Sequence, residues 1–285
     1  MNVVINDKNK KERKLKILYI IIIAICIISI IAALIIQLAS NNEYILYKNN
    51  KLPELTADKI SQYKAEFNEI FENKVNYLTN NAYTIDKLDT QQEIVYIGYQ
   101  NHETKTNDYE LDINIPYINI KNDTIKEYNK QIKDIFESKV KNVLETKNNN
   151  IIYTVDYSAY ISNNILSVVV RSTLKEGTNP QRDIVQTYNY DLINQTKCTI
   201  DKILELKGIS KNDVNRIVTN EIKSVQNNVE ELRKLGYSIY PRDYTSDIYS
   251  VNNISEYFLG KEGALYIIYA YGNENYTSEM DIVVM

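Results

Sequence analysis

The chain has 285 residues, 44% hydrophobic and 25% charged, a balance that excludes wholesale disorder and exceeds what one small domain needs. Net charge is −4, but residues 1–16 carry six bases and two acids, a charge of +4, which leaves −8 on the remainder. An acidic exterior disfavours nucleic acid and anionic wall polymers and tolerates a basic protein partner, although acidic charge also serves solubility alone. Tyr is abundant, at 25 residues against 4 Phe and no Trp. With the heavy use of Asn, Ile and Lys, this is the composition of an AT-rich coding sequence, so the Tyr and Asn excess is not itself a sign of function.

Residues 17–36 contain no charged side chain. A helix of that length spans roughly 30 Å, the thickness of a bilayer core. The sequence therefore predicts a transmembrane helix over 17–38, with the basic tail 1–16 in the cytoplasm and the remainder exported as the extracellular part of a single-pass membrane protein. A cleaved signal peptide fits poorly, because the apolar core is too long and Gln37 occupies the −3 position of Gln37-Leu38-Ala39. A lipoprotein signal fits no better, since Cys26 follows Ile25 and is followed by more membrane residues. Cys26 in the bilayer cannot meet Cys198 outside it, so no intramolecular disulfide is expected, and Cys198 reads as a small buried apolar side chain.

Residues 39–90 read as a linker followed by a membrane-proximal helix over about 57–79. Ile60, Tyr63, Phe67, Ile70, Phe71, Val75 and Leu78 recur there at helical steps. That helix is either a stalk or the first helix of the folded domain, and packing on a sheet is the favoured role. Residues 93–100 form a short apolar run. From 109 to 117, Tyr109, Leu111, Ile113, Ile115 and Tyr117 alternate with polar residues, as in a half-buried strand. The phase then flips at Pro116, which predicts a bulge or an edge strand there.

A helix follows over about 124–144, with Thr124 and Glu127 at capping-box spacing and Ile125, Tyr128, Ile132, Ile135, Phe136, Val140 and Val143 on its apolar face. Strands are expected at 151–161, 165–173 and 184–192, the first two joined by an Asn163-Asn164 turn. A third helix is expected over 210–235, with Ser210 and Asp213 at capping spacing, Gly236 as its stop, and a buried stripe of Val214, Ile217, Val225, Val229 and Leu232. Strands at 256–259, 264–271 and 279–284 close the chain. The pattern predicts an α+β fold, an antiparallel sheet packed with helices on one face, preceded by one transmembrane helix.

Recognisable catalytic chemistry is scarce. His102 is the only histidine and sits in an apparent polar loop, Gln100 to Thr104. It cannot build a histidine-based zinc cluster, and Cys198 has no thiol neighbour, so no metal site is expected. No Gly-x-Ser-x-Gly elbow, Gly-rich phosphate loop or Walker pattern occurs among seven glycines, and no cofactor is expected. Two-carboxylate glycosidase chemistry has no marker in the sequence. Tyr153, Tyr157, Tyr188, Tyr190, Tyr266, Tyr269 and Tyr271 fall in strands, where packing explains them better than a sugar-stacking platform.

Several segments carry a family resemblance. They are Ile115-Pro116-Tyr117 with Asn122 to Ile132, including Asn129; Asn164-Ile165-Leu166-Ser167-Val168-Val169; Tyr188-Asn189-Tyr190-Asp191-Leu192; Thr196-Lys197 with Thr199-Ile200-Asp201-Lys202-Ile203-Leu204; and Tyr257-Phe258-Leu259, Gly263, Tyr266 to Tyr271 and Ile282-Val283-Val284. Over about residues 90–284 the chain resembles the exported PdaC/RsiV-like domain, shared by lysozyme-sensing anti-sigma factors and peptidoglycan deacetylases of Gram-positive bacteria. Many relatives carry a Gly-Gly-Ala-His turn after the second central strand. Here Lys175, Glu176, Gly177, Thr178, Asn179, Pro180, Gln181 and Arg182 take its place. The sixteen-residue tail reads as too short for an anti-sigma grip, and no deacetylase domain is expected from this sequence.

The resemblance implies an extracytoplasmic domain over 91–285 that binds or senses a protein or a peptidoglycan ligand without catalysis. A peptidoglycan-acting enzyme or accessory subunit and a degenerate anti-sigma factor are the alternatives. The candidate ligand-binding residues are Lys175, Gly177, Thr178, Asn179, Pro180, Gln181 and Arg182, a locally basic connection on an acidic domain.

Overall fold

A computed structural model describes residues 54–78, 85–270 and 278–285. The transmembrane helix expected over 17–38, the basic tail and Tyr271 lie outside the described residues. Among the described residues, no helix is long and apolar enough to cross a membrane. The described chain belongs to one unit, Lys51–Met285.

Among the described residues, ten strands form two sheets. The larger contains β1 (Val75–Tyr77), β2 (Val95–Lys105), β3 (Tyr109–Ile118), β4 (Ile151–Ser162), β5 (Ile165–Glu176), β6 (Arg182–Asp191) and β7 (Thr196–Lys197). Its order is β2-β3-β4-β5-β6-β7, with β1 also paired to β4. The smaller holds β8 (Glu256–Leu259), β9 (Leu265–Ala270) and β10 (Met280–Val284) in the order β10-β9-β8. Helices are α1 (Ala57–Ala65), α2 (Asp123–Ile132), α3 (Ser138–Glu145), α4 (Ile200–Lys207) and α5 (Lys211–Lys234).

The α+β class and the predominance of antiparallel pairing agree with the sequence, but two pairings are parallel. β3 pairs with the first half of β4, Tyr109–Ile113 against Ile151–Val155, and β1 with its second half, Val75–Tyr77 against Ala159–Ile161. Pro116 therefore falls where β3 has left β4, so its missing N–H costs no ladder bond. Two residues on, Ile118 does carry an N–H, with no β4 residue paired to it. Asn129 of α2 supplies both bonds, with the Ile118 N–H donating to Oδ1 and Nδ2 donating to the Ile118 carbonyl, each at 2.9 Å. The irregularity expected near Pro116 lies on the neighbouring strand, between Ile97 and Tyr99. Gly98 occupies it because a Cβ there would lie 2.6 Å from Cβ of Tyr117.

Helices flank both sheets rather than one face. α2 and α3 cover one face of the large sheet, burying Ile125, Tyr128, Ile132, Phe136, Val140 and Val143 against Val155, Tyr157, Val168 and Val170. The opposite face meets the small sheet and the segment 57–69, where Val169 and Val185 join Tyr63, Phe67, Phe258, Tyr266 and Ile268. The far face of the small sheet packs on α4 and α5 through Ile203, Val214, Val218, Ile222, Leu265 and Ile267. Tyr63 and Phe67 thus belong to the core, and the expected helix over 57–79 gives way to β1.

The helix expected over 124–144 is α2 and α3 joined by a π-turn, Lys133–Glu137. That extra residue per turn rotates Ile135 outward and leaves Phe136 buried. Asn122, not Thr124, is its N-cap. On α5, Val218 and Ile222 are buried, while the expected Leu232 is exposed. Helix α4 lies outside the elements expected from the sequence. Thr199 caps it, and Gly208 closes it in the left-handed conformation at φ +66°.

The two sheets are joined by polar side chains of the large sheet that satisfy the free edge of β8. Tyr257 N–H donates to Thr187 Oγ1 at 3.1 Å and Leu259 N–H to Ser167 Oγ at 3.1 Å, while Asn189 Nδ2 donates to the Tyr257 carbonyl at 2.7 Å. Ser167 in turn donates to Asn189 Oδ1 at 2.6 Å. Reciprocally, Glu256 Oε2 accepts from Thr187 N–H at 2.7 Å and from its hydroxyl at 2.8 Å.

Asn189→Leu strands the Tyr257 carbonyl and the Ser167 hydroxyl in a dry interface, and we expect a loss of about 2–4 kcal/mol in urea unfolding. A loss below about 0.5 kcal/mol would show that the latch is dispensable. Glu256 gives a pH signature. Burial pushes its carboxyl up to about 7 against the Thr187 bonds, so the fold favours the protonated form. Its contribution is complete below the unfolded value of about 4.5 and is lost as pH rises through 7. We expect thermal stability to fall across that window and Glu256→Gln to flatten the slope; an unchanged slope in the variant would refute the assignment.

Candidate functional site

The largest of the described clefts, about 740 Å3, runs beside the start of α2. Its lining includes Lys121, Lys126, Lys130 and Lys133, with Asp123 as the single acid, and Leu88, Tyr117, Ile120, Asn122 and Asn129. Local structure explains the alignment. Lys126, Lys130 and Lys133 sit at i, i+4 and i+7 on α2 and its continuation, beside the stripe that buries Ile125, Tyr128 and Ile132. Lys121 is held at the entrance to the helix, its N–H donating to the Asp86 carbonyl at 2.8 Å. Asn129 lines the groove and ties α2 to Ile118, so the lysines rest on a fixed helix.

Lys130 pairs with Asp134 at 2.9 Å across exposed surface, and this carboxylate holds the ammonium above the ordinary lysine value. Among the described residues, Lys121, Lys126 and Lys133 form no ion pair. The groove therefore concentrates positive charge on a domain whose net charge is negative, and such an arrangement attracts anions. The sequence places these lysines within thirteen residues, but their spacing alone also fits a solvated helix face. The cleft that gathers them depends on Leu88 and Tyr117 from other segments.

The residues singled out from the sequence lie elsewhere. Lys175, Gly177, Thr178, Asn179, Pro180, Gln181 and Arg182 form the β5–β6 hairpin, exposed from Gly177 to Arg182. The hairpin is closed by its own groups. Lys175 Nζ donates to the Asn179 carbonyl, Asn179 N–H to the Glu176 carbonyl at 3.0 Å, and Gln181 Nε2 to Asp183 at 3.2 Å. The structure brings these residues together, at the opposite end of the large sheet from the β4–β5 turn.

His102 lies in β2, not in a loop, with Nδ1 2.8 Å from the cross-strand Asp112 carboxylate and both side chains about half exposed. Tyr153, Tyr157, Tyr188, Tyr190, Tyr266 and Tyr269 are all buried, so their rings offer no platform to a sugar.

A second cleft, about 420 Å3, is lined by Glu66, Glu69 and Glu72 together with Tyr63, Lys74 and Lys261. Its charges are nearly balanced: Glu72 pairs with Lys74 at 2.8 Å and Glu66 accepts from Gln62 at 2.7 Å. Buried charge also occurs at Arg242, which bridges Glu279 at 2.7 Å and Asp281 at 2.9 Å and clamps the chain after α5 onto β10. No group of three His, Cys, Asp or Glu among the described residues is placed to hold a metal ion.

No family model matches the chain, and no curated protein matches it. Among solved structures it is similar to a DUF3298-family protein of Bacteroides fragilis at 13% identity, over 61% of this chain and 80% of that one, with a TM-score of 0.35. It is also similar to a DUF3298-family protein of Pseudomonas aeruginosa at 9% identity, over 63% and 82%, with a TM-score of 0.38.

Cys198 is 1% exposed, and burial pushes its thiol up to about 12. In a Cys26→Ser chain we expect negligible thiol labelling under native conditions and full labelling in denaturant. Rapid native labelling would show that Cys198 is reachable.

Proposed function

We propose that this chain is a membrane-anchored extracytoplasmic binding or sensing protein, held by residues 17–38 with its N-terminus in the cytoplasm, and that its lysine groove takes an anionic ligand of the cell envelope. The PdaC/RsiV-like resemblance supports an envelope role, and the uncharged segment 17–36 supports the anchor. The observation that carries the ligand class is the convergence of Lys121, Lys126, Lys130 and Lys133 on one groove whose lining holds Asp123 as its one acid, with Asp134 pairing to Lys130 from outside it. Such a groove binds by charge and shape and needs no reacting group. The hairpin 175–182 is the competing surface, weaker because its Lys175 is engaged in closing the turn.

The test uses the full chain in phosphatidylcholine nanodiscs with soluble polyphosphate as the probe. Lys126→Glu with Lys130→Glu should weaken binding at least about tenfold, or ~1.4 kcal/mol. Replacing residues 178–182 with Gly and Ser should change it less than about threefold. The reverse pattern would move the site to the hairpin, and no binding by the unaltered chain would remove the groove as an anion site.

A further inference from the structure

We infer that the anionic ligand of the groove is the headgroup surface of the bilayer that carries the chain, an inference that rests on the anchored, anion-binding function proposed above. The first support is position. The β4–β5 turn at Asn163-Asn164 and the β6–β7 turn at 192–195 lie together at one end of the large sheet, linked by the Leu192 N–H to the Asn164 carbonyl at 2.9 Å. One end of the groove lies here: Asn122 Nδ2 donates to the Gln195 carbonyl at 3.3 Å, and Asn122 is a groove residue.

The chain enters the described domain at the same end. β8 runs toward it, from Glu256 beside Thr187 to Leu259 beside Ser167, and continues into the turn that holds Glu262. Lys59 of α1 pairs with Glu262, and Glu54, where the described residues begin, shares a cleft with Lys207 and Gly208 at the end of α4. Fifteen residues, 39–53, can span at most about 50 Å. A bilayer holding residues 17–38 therefore stays within reach of this end and the groove.

The second support is composition. Beside the four lysines the groove presents Leu88, 53% exposed, and the half-buried Tyr117. Lysine, an aromatic ring with a polar tip and an exposed aliphatic side chain are the set that suits a membrane interface. There ammonium groups meet phosphates while their stems and the apolar residues meet the acyl boundary. A soluble phosphodiester polymer would be served by the lysines alone and gives Leu88 nothing to do.

The experiment is limited lysine acylation of the full chain, read by mass spectrometry, in nanodiscs of phosphatidylcholine or of phosphatidylcholine and phosphatidylglycerol in equal parts. In the anionic discs Lys126, Lys130 and Lys133 should react at least about threefold more slowly, and raised salt should restore the rate. Lys147 and Lys234, away from this end, should be unchanged. Leu88→Ser should weaken protection by the discs but not protection by soluble polyphosphate in neutral discs.

Equal rates in the two discs, or equal slowing of Lys147 and Lys234, would overturn the inference. If soluble polyphosphate protects the groove and anionic discs do not, the lipid falls and the anion-binding function stands. If neither protects, both fall. A chain that does not co-elute with neutral discs removes the anchor and this inference with it.

Discussion

The fold depends on how the free edge of a three-stranded sheet is satisfied against the face of a larger one. An unpaired strand edge buried in a protein would leave N–H and C=O groups without partners, at a cost of a few kcal/mol each. Here Ser167, Thr187 and Asn189 project from two adjacent strands of the large sheet and act as the missing strand. Two sheets can then share one core without pairing backbone to backbone. Phe258 and Tyr266 stack at 4.5 Å on the inner face of the small sheet, while Leu265 and Ile267 point to the outer helices. Without the latch, neither the inner core around Phe67 nor the outer core under α5 would have a floor.

The same device recurs, and asparagine carries it. Asn129 completes the backbone of Ile118 where β3 has parted from β4. Asn73 accepts from the Tyr157 N–H at 3.0 Å and donates to Asp156 at 2.7 Å, in the gap between the two strands that share the edge of β4. Asn119 is fully buried and holds the segment before β2, accepting from the Asp89 N–H at 2.9 Å and donating to its carbonyl at 2.7 Å. A side-chain amide has one donor group and one acceptor in the geometry of a peptide, which is why it can stand in for one. Asn73, Asn107, Asn148, Asn150, Asn163 and Asn164 also take positive φ at turns, a conformation that asparagine tolerates better than most residues. Asparagine abundance that reads as coding bias is, at these positions, structural.

Charge tells a parallel story. The net −8 outside residues 1–16 is a sum, and a sum does not record where charges lie. Folding places Lys121, Lys126, Lys130 and Lys133 along one groove and disperses the acids over pairs such as Glu72–Lys74 and Asp201–Lys211. An anion approaching the domain meets this local field rather than the total charge. The expectation that an acidic exterior disfavours anionic partners therefore does not extend to this groove.

What the sequence determined by itself was whatever is written in near neighbours. Alternation located β3 and β4, turn residues and short apolar runs located β5, β6, β8, β9 and β10 to within a few residues, and the 3.6-residue stripe with Ser210 located α5. Short-range patterns could not place a change of phase: the π-turn that exposes Ile135, the end of the first helical segment before β1, and the π-turn's partner stripe under Phe136 depend on what each element packs against. The parallel pairings to β4, the small sheet's seat on Ser167, Thr187 and Asn189, and the meeting of Leu88 with Lys121 to Lys133 join residues far apart in the chain. Only the tertiary structure decided these, because hydrogen-bond pairing and side-chain convergence are properties of distance in space, which local periodicity does not encode.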